Sequence, residues 1–328
     1  MEKEQIFKII QEYTSNPPLI LAGTGLTIPV EIPGMGALAE YLREKLDDKY
    51  KADSAWVSVS SKIASGIDLE TALSEDKLSI DLLNDVKKYT WELVNAADLK
   101  YFREEHLFGH KAPFTTILSK FLKATGRHLD IITTNYDRYI EYCCDQYGIE
   151  VDIGYKGIYS KSLEMSFSRN RNIVTLLKVH GSLDSFKDNC NHESVSIPIQ
   201  ESIPRGFTPE IITPGISKYE AILTNSSRQL LHHADTVINR ATNFLCIGYG
   251  FNDSQIQELI IKRIKSGCPI VVVTKELTDA ALGIINNNSE RHAVILEGED
   301  GKTRFIINTL DITIDGTYWT IDGFNKII

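Results

Sequence analysis

Five segments hold residues whose types and spacing could do chemistry. At Ile131-Ile132-Thr133-Thr134-Asn135-Tyr136-Asp137 an apolar run ends in an amide and a carboxylate two residues apart, a pair able to grip a ribose or an amide group. The plainer reading has Thr134 or Asn135 capping a helix that starts near Asp137. Val174 to Val179 leads into His180-Gly181-Ser182, and histidine is the side chain best matched to proton transfer near neutral pH, although a lone histidine is more often structural. Gly23-Thr24-Gly25 follows an apolar run ending at Ala22, and Pro33-Gly34-Met35-Gly36 precedes a helical pattern. Glycine turns let backbone amides approach a pyrophosphate, and a helix N-terminus adds partial positive charge. The segment lacks a full G-x-G-x-x-G, no P-loop occurs, and a plain strand-to-helix turn explains it equally well. Finally, Gly248-Tyr249-Gly250-Phe251-Asn252-Asp253 repeats the pattern of apolar run and glycine turn. Asn252 and Asp253 suit the hydroxyls of a sugar, or Asp253 caps the next helix.

Strands must position these groups. Pro18 to Ala22, Leu129 to Thr133, Val174 to Val179, Phe244 to Ile247 and Ile270 to Val273 are short and apolar throughout, as strands buried on both faces are. Helical stretches separate them, so the expected class is α/β with a Rossmann-like, mostly parallel sheet. Ends carrying G-T-G, T-N-Y-D and H-G would then converge on one crevice. Leu38, Leu42 and Leu46, then Leu78, Leu82, Leu83 and Val86, recur at helical spacing and predict a helical insertion over about 36–128. Ser182 to Gly215, with Pro198, Pro204, Pro209 and Pro214, reads as an irregular excursion over the sheet edge. The main domain is expected over 1–285. Residues 286–328 read as a small antiparallel β appendix: His292 to Leu296, Arg304 to Leu310, and a hairpin of Ile312 to Ile314 and Tyr318 to Ile321 around Asp315-Gly316. An exposed edge there offers a surface for a homo-oligomer or a partner.

At 328 residues the chain exceeds the usual domain of ~150 residues, and 42% hydrophobic with 24% charged residues excludes collagen-like, low-complexity or disordered classes. A net charge of −9 provides no global positive field, so direct nucleic-acid or anionic-membrane binding is not expected. No apolar run approaches the ~20 residues of a bilayer crossing, and Met1 to Ile10 has no signal-peptide core, so a cytoplasmic location is expected. Cys143, Cys144, Cys190, Cys246 and Cys268 contain no C-x-x-C, so neither a disulfide framework nor a metal site is expected.

In order, A-G-T-G at Ala22 to Gly25, I-P-G-M at Ile32 to Met35, T-T-N-Y-D, H-G-S and G-Y-G-F-N-D resemble the sirtuin fold over roughly residues 18–275. The resemblance implies that Ala22, Gly23, Thr24, Gly25, Pro33, Gly34, Thr134, Gly248, Tyr249, Gly250, Asn252 and Asp253 bind NAD. It implies that His180 is the catalytic base, and that Asn135 and Asp137 hold the nicotinamide ribose and carboxamide. Ala22 departs mildly from the family, which often has glycine there. A larger departure is the four-cysteine zinc module of protein-deacylating sirtuins: between His180 and Gly248 only Cys190 and Cys246 occur. The motif style is similar to the sirtuin-like domains of bacterial antiphage-defence proteins, which hydrolyse NAD. Without a fused sensing or Argonaute domain, the chain looks most like the stand-alone sirtuin-like partner of a HerA-type hexameric ATPase. The resemblance therefore implies an NAD+ glycohydrolase with NAD as substrate, a homo-oligomer, and no metal. A protein deacylase or ADP-ribosyltransferase, or a non-catalytic NAD or ADP-ribose sensor, are the other readings.

Overall fold

Residues with apolar side chains at every position can only sit where both faces are covered, and here they line up as the middle of one sheet. The computed structural model describes residues 2–124, 128–164, 173–215, 225–251 and 253–328. Along the chain the strands are β1 (Leu19–Ala22), β2 (His128–Thr133), β3 (Glu150–Asp152), β4 (Tyr155–Lys156), β5 (Lys161–Leu163), β6 (Ile173–Lys178) and β7 (Gly181–Asp188). They continue as β8 (Ser194–Ser196), β9 (Phe207–Ile211), β10 (Phe244–Ile247), β11 (Ile270–Val273), β12 (His292–Glu297), β13 (Thr303–Ile307) and β14 (Leu310–Ile314). The large sheet has the order β14-β13-β12-β11-β10-β1-β2-β6-β3. From β12 to β3 the pairing is parallel, while β13 and β14 are antiparallel. The class is therefore α/β with a Rossmann-like, mostly parallel sheet.

Among the described residues the helices are α1 (Lys3–Tyr13), α2 (Met35–Leu46), α3 (Ser54–Ala64), α4 (Leu69–Ser74), α5 (Ile80–Tyr101) and α6 (Pro113–Ala124). Then come α7 (Tyr139–Tyr147), α8 (Asn225–Arg240), α9 (Ser254–Lys265), α10 (Asp279–Asn288) and α11 (Ile321–Phe324). Strand periodicity of two sorts the side chains between two cores. Ile20 and Ala22 of β1 join Ile6 and Ile10 of α1 and Phe114, Ile117 and Leu118 of α6. Leu19 and Leu21 join Ala234 and Ile238 of α8, Ile256 and Ile260 of α9 and Ile285 of α10 on the other face. Leu38, Leu42, Leu46, Leu78, Leu82 and Val86 meet around the fully buried Trp56 in a third core, formed by α2 to α5. Asp53 starts α3 by accepting hydrogen bonds from the amides of Ala55 (2.9 Å) and Trp56 (3.2 Å), a cap worth about 1 kcal/mol.

Two segments differ from the sequence expectation. Ser182 to Gly215 is not irregular: β7, β8 and β9 join β4 and β5 in a second sheet of order β4-β5-β8-β7-β9. The prolines misled because Pro209 lies in β9, an edge strand, opposite Phe186 and beside a register shift, where a missing N–H is tolerated. At the C-terminal end the antiparallel strands are present, but β12 pairs in parallel with β11, so they extend the main sheet. The hairpin turns at Asn308-Thr309 rather than at Asp315-Gly316. Ile307 pairs with Leu310, and Asn308 takes the left-handed φ of 54° that asparagine tolerates. Tyr318 to Ile321 is not a strand; the chain there turns into α11.

Candidate active site

Register places the polar segments side by side. Ala22 at the end of β1 pairs with Ile247 of β10 and Thr133 of β2, and Thr133 pairs with Lys178 of β6. The residues that follow therefore leave the sheet at one edge. The chain runs from β1 to β2 and β6 on one side, then crosses to β10 on the other, making β1 and β10 a switch point where a crevice opens.

The glycine turns pack directly on one another there. A Cβ on Gly23 would strike the Gly248 carbonyl oxygen, and one on Gly25 would lie 2.6 Å from the Gly248 Cα. Gly248 also has φ +55°, a left-handed value that costs other residues about 1–2 kcal/mol. The amide of Gly23 donates to Ile247, that of Gly25 to Gly248 and that of Gly248 to Val273. This corrects the simplest phosphate-cradle picture. Those three N–H groups are taken up in bonds within the protein, while Thr24, Gly250 and the start of α2 lie beside the cleft.

A cavity of ≈ 170 Å³ lies at this edge, walled by Thr24, Asn135, Asp137, His180, Gly250 and Asp253 among others. Gly23, Pro33, Gly34, Thr134, Gly248 and Tyr249 also line it. Two expected residues stand apart: Gly25 packs under Gly248, and Ala22 is wholly buried in β1, its carbonyl accepting from the Thr133 hydroxyl (2.9 Å). Asn252 lies outside the described residues. Thr27, Val94 and Glu70 line the cleft without any motif having marked them, and Tyr136 lines it from within T-T-N-Y-D, where it had been given no role. Glu70 and Val94 come from α4 and α5, so the helical layer closes one side of the cleft.

Asn135 is locked by its own amide nitrogen. The backbone N–H of Asn135 donates to the Thr133 hydroxyl (3.1 Å), and Nδ2 donates to the Gly23 carbonyl (3.0 Å) and the Thr27 hydroxyl (3.3 Å). Its Oδ1 is buried with no hydrogen-bond partner among the described residues. A buried acceptor left unpaired costs about 1–3 kcal/mol, so a ligand hydroxyl or water that donated to it would recover that amount.

Asp137 Oδ1 accepts from the Tyr139 amide at 3.1 Å just ahead of α7, whose N-cap residue is Arg138 with no side-chain cap; neither Thr134 nor Asn135 caps the helix. Burial pushes its carboxyl up to about 7, against the opposing pull of the Lys178 ammonium, with Asp98 and Glu141 adding repulsion. Lys178 donates to the Asp137 carbonyl and to Glu141 (2.8 Å). The folded carboxyl thus binds its proton more tightly than the unfolded one. Its contribution to stability is fully present below about pH 4 and lost as the pH rises through about 7. Asp137→Asn keeps the Oδ1 acceptor for the Tyr139 amide and removes the titration. At pH 8 it should be more stable than the parent by roughly a few kcal/mol, because each tenfold difference in proton affinity between folded and unfolded chains is worth about 1.4 kcal/mol. Urea midpoints between pH 5 and 8 check this, and equal slopes for the two proteins would refute it.

His180 follows β6 and opens β7. Its carbonyl accepts from Ile212 (2.8 Å), and position 181 beside it demands glycine twice over, by its φ of +87° and because a Cβ would strike the Glu210 carbonyl. His180 Nε2 lies 2.7 Å from Asp253 Oδ2. The Asp253 carboxylate thus reaches the histidine, a contact that sequence spacing did not reveal.

The middle of the chain is similar to one known family. Residues 130–269 match the SIR2-like domain. The SIR2-like segment contains Asn135, Asp137, His180, Gly248 and Asp253, while Gly23 to Gly25 precede it. Solved structures similar to the chain include one described under the mechanism and regulation of Sir2 enzymes, at 15% identity, TM-score 0.48, covering 89% of this chain and 92% of that one. Another is a Sir2 variant with a deacetylated p53 peptide and 3′-O-acetyl ADP-ribose, at 13% identity, TM-score 0.46, covering 100% and 97%. A third is Sir2 with a p53 peptide and NAD+, at 11% identity, TM-score 0.42, covering 89% and 92%. No curated protein matches the sequence.

Proposed function

We propose that the protein is an NAD+ glycohydrolase. The observation that carries this reading is the unpartnered, buried Oδ1 of Asn135 in the same cleft as the His180–Asp253 pair. The match of residues 130–269 to the SIR2-like domain supports it.

In the reaction, the bond between ribose C1′ and the nicotinamide nitrogen breaks, its electron pair leaving with nicotinamide. Water supplies the oxygen that bonds to C1′, and its proton goes to a base. Positive charge develops on the sugar, so catalysis needs a positioned sugar, a placed water and nearby negative charge. His180 is the base, and Asn135 Oδ1 takes a hydrogen bond from the ribose or the water. Asp137 stabilises the sugar's charge or holds the nicotinamide amide. The diphosphate lies against the Thr24 and Gly250 backbone and the α2 N-terminus, which carries partial positive charge.

NAD depletion in antiphage defence, in the cytoplasm and beside a HerA-type ATPase, is the role we assign to this activity on the motif resemblance. The C-terminal strands, with β14 at the sheet edge, are the surface proposed for self-assembly or the partner. The deciding assay incubates the purified protein with NAD, alone and with an acetylated peptide, and separates the products. Nicotinamide with ADP-ribose is expected in both. O-acetyl-ADP-ribose would make the protein a deacylase, and bound but uncleaved NAD would make it a sensor.

A further inference from the structure

His180 and Asp253 are 73 positions apart and come from opposite sides of the switch point, one from the β6–β7 turn and the other from the entrance to α9. The Asp253 side chain is 5% exposed and that of His180 22%, so this contact sits largely out of water. The Asp253 carbonyl accepts from the Gln257 amide (3.0 Å), which anchors its backbone to the first turn of α9.

We propose that Asp253 is the positioning residue for His180, holding the imidazole proton on Nε2 so that Nδ1 faces the cleft as the base. The proposal rests on the hydrolytic reading above. An ionised carboxylate can only accept, so a 2.7 Å contact between Oδ2 and Nε2 places the hydrogen on Nε2. A neutral imidazole carries one N–H, which leaves a lone pair on Nδ1. No described side chain bonds Nδ1, and His180 lines the cleft. When water attacks C1′, its proton passes to Nδ1. The imidazolium formed keeps its Nε2–H on Asp253, whose negative charge offsets the new positive one in a site largely shielded from solvent. Asp253 reaches His180 from the wall of the cleft, and it acts through the tautomer and orientation of that ring.

Asp253→Asn tests this with little change in shape. The amide can donate to Nε2, which moves the ring proton to Nδ1 and occupies the base. The measurements are the ¹⁵N shifts of His180, assigned by their loss in His180→Gln, and steady-state NAD cleavage. The parent protein should show a protonated Nε2 and a bare Nδ1. Asp253→Asn should lose that single tautomer and lose about 100-fold in kcat, with KM changed by less than about threefold. Asp253→Glu should restore part of both. A purely structural Asp253 would instead leave the tautomer in place and lower the melting temperature. A protonated Nδ1 in the parent, or an Asp253→Asn kcat within about threefold of it, overturns the proposal. If the parent cleaves no NAD, the hydrolytic reading fails, and the His180 tautomer still decides this one: Nε2–H lost in Asp253→Asn upholds it, Nδ1–H in the parent overturns it.

Discussion

Replacing His180 by glutamine is expected to lower nicotinamide release from NAD by about 100- to 10,000-fold, the usual contribution of a general base. Glutamine is the informative choice. Its amide nitrogen can still donate to Asp253, whereas alanine would leave that carboxylate, at 5% side-chain exposure, without its imidazole partner. His180→Ala should therefore lose the same rate and some stability as well, while His180→Gln should lose rate alone. In both variants the backbone bond from Ile212 to the residue 180 carbonyl persists, so β7 and β9 keep their pairing. Asn135→Ala is a companion with a different signature. It removes the Oδ1 that would grip substrate, and also the Nδ2 bonds to Gly23 and Thr27 that hold the β1 turn in place. Its loss should appear in KM as well as kcat. Progress curves for nicotinamide, alongside NAD titration by calorimetry, separate the two. A His180→Gln protein that cleaves NAD at the parental rate removes His180 from the chemistry.

What could be seen in the sequence followed the physics of burial. β1, β10 and β11 stood out because strands covered on both faces need apolar residues throughout, and Leu38, Leu42 and Leu46 stood out because one helical stripe faces a core. The T-N-Y-D and H-G segments were legible because polar residues after such strands can only emerge at the sheet edge. β7 was hidden by its buried polar residues: Asp184 occupies a position that an alternating pattern would give to an apolar side chain, and it is buried because it is paired. The Asn308-Thr309 turn was hidden by a stronger turn signal seven residues later. The Asp253 contact to His180 depends on which strands are neighbours and in what register, and no local spacing carries that. Glu70 reaches the cleft only because α4 folds over it, which again is a tertiary fact.

Arg138 shows the same limit and leads to the largest stability effect expected. It directly follows Asp137, yet nothing in the motif marks it, and it is 2% exposed. Its Nε donates to Asp184 (2.8 Å), its two terminal nitrogens to Asp98 and to Asn95 (2.5 and 2.8 Å), and its backbone N–H to Asp98 (2.7 Å). Tyr142 adds a bond to Asp98 at 2.7 Å. Asp98 and Asn95 lie on α5, Asp184 on β7 and Tyr142 on α7, so one guanidinium joins the helical layer, the strand after His180 and the helix after Asp137. Arg138→Met would leave the Asp98 side chain, at 0% exposure, and that of Asp184, at 12%, without their cation. Uncompensated buried charge costs about 3–5 kcal/mol. Denaturant unfolding should show that loss, and Asp98→Asn added to Arg138→Met should recover part of it, because one of the stranded charges is then gone. Because the same network fixes Asn135 and Asp137 relative to His180, kcat should fall in Arg138→Met under conditions where the protein is still fully folded. A variant that unfolds at the parental midpoint would show that the three elements are held by their apolar contacts alone.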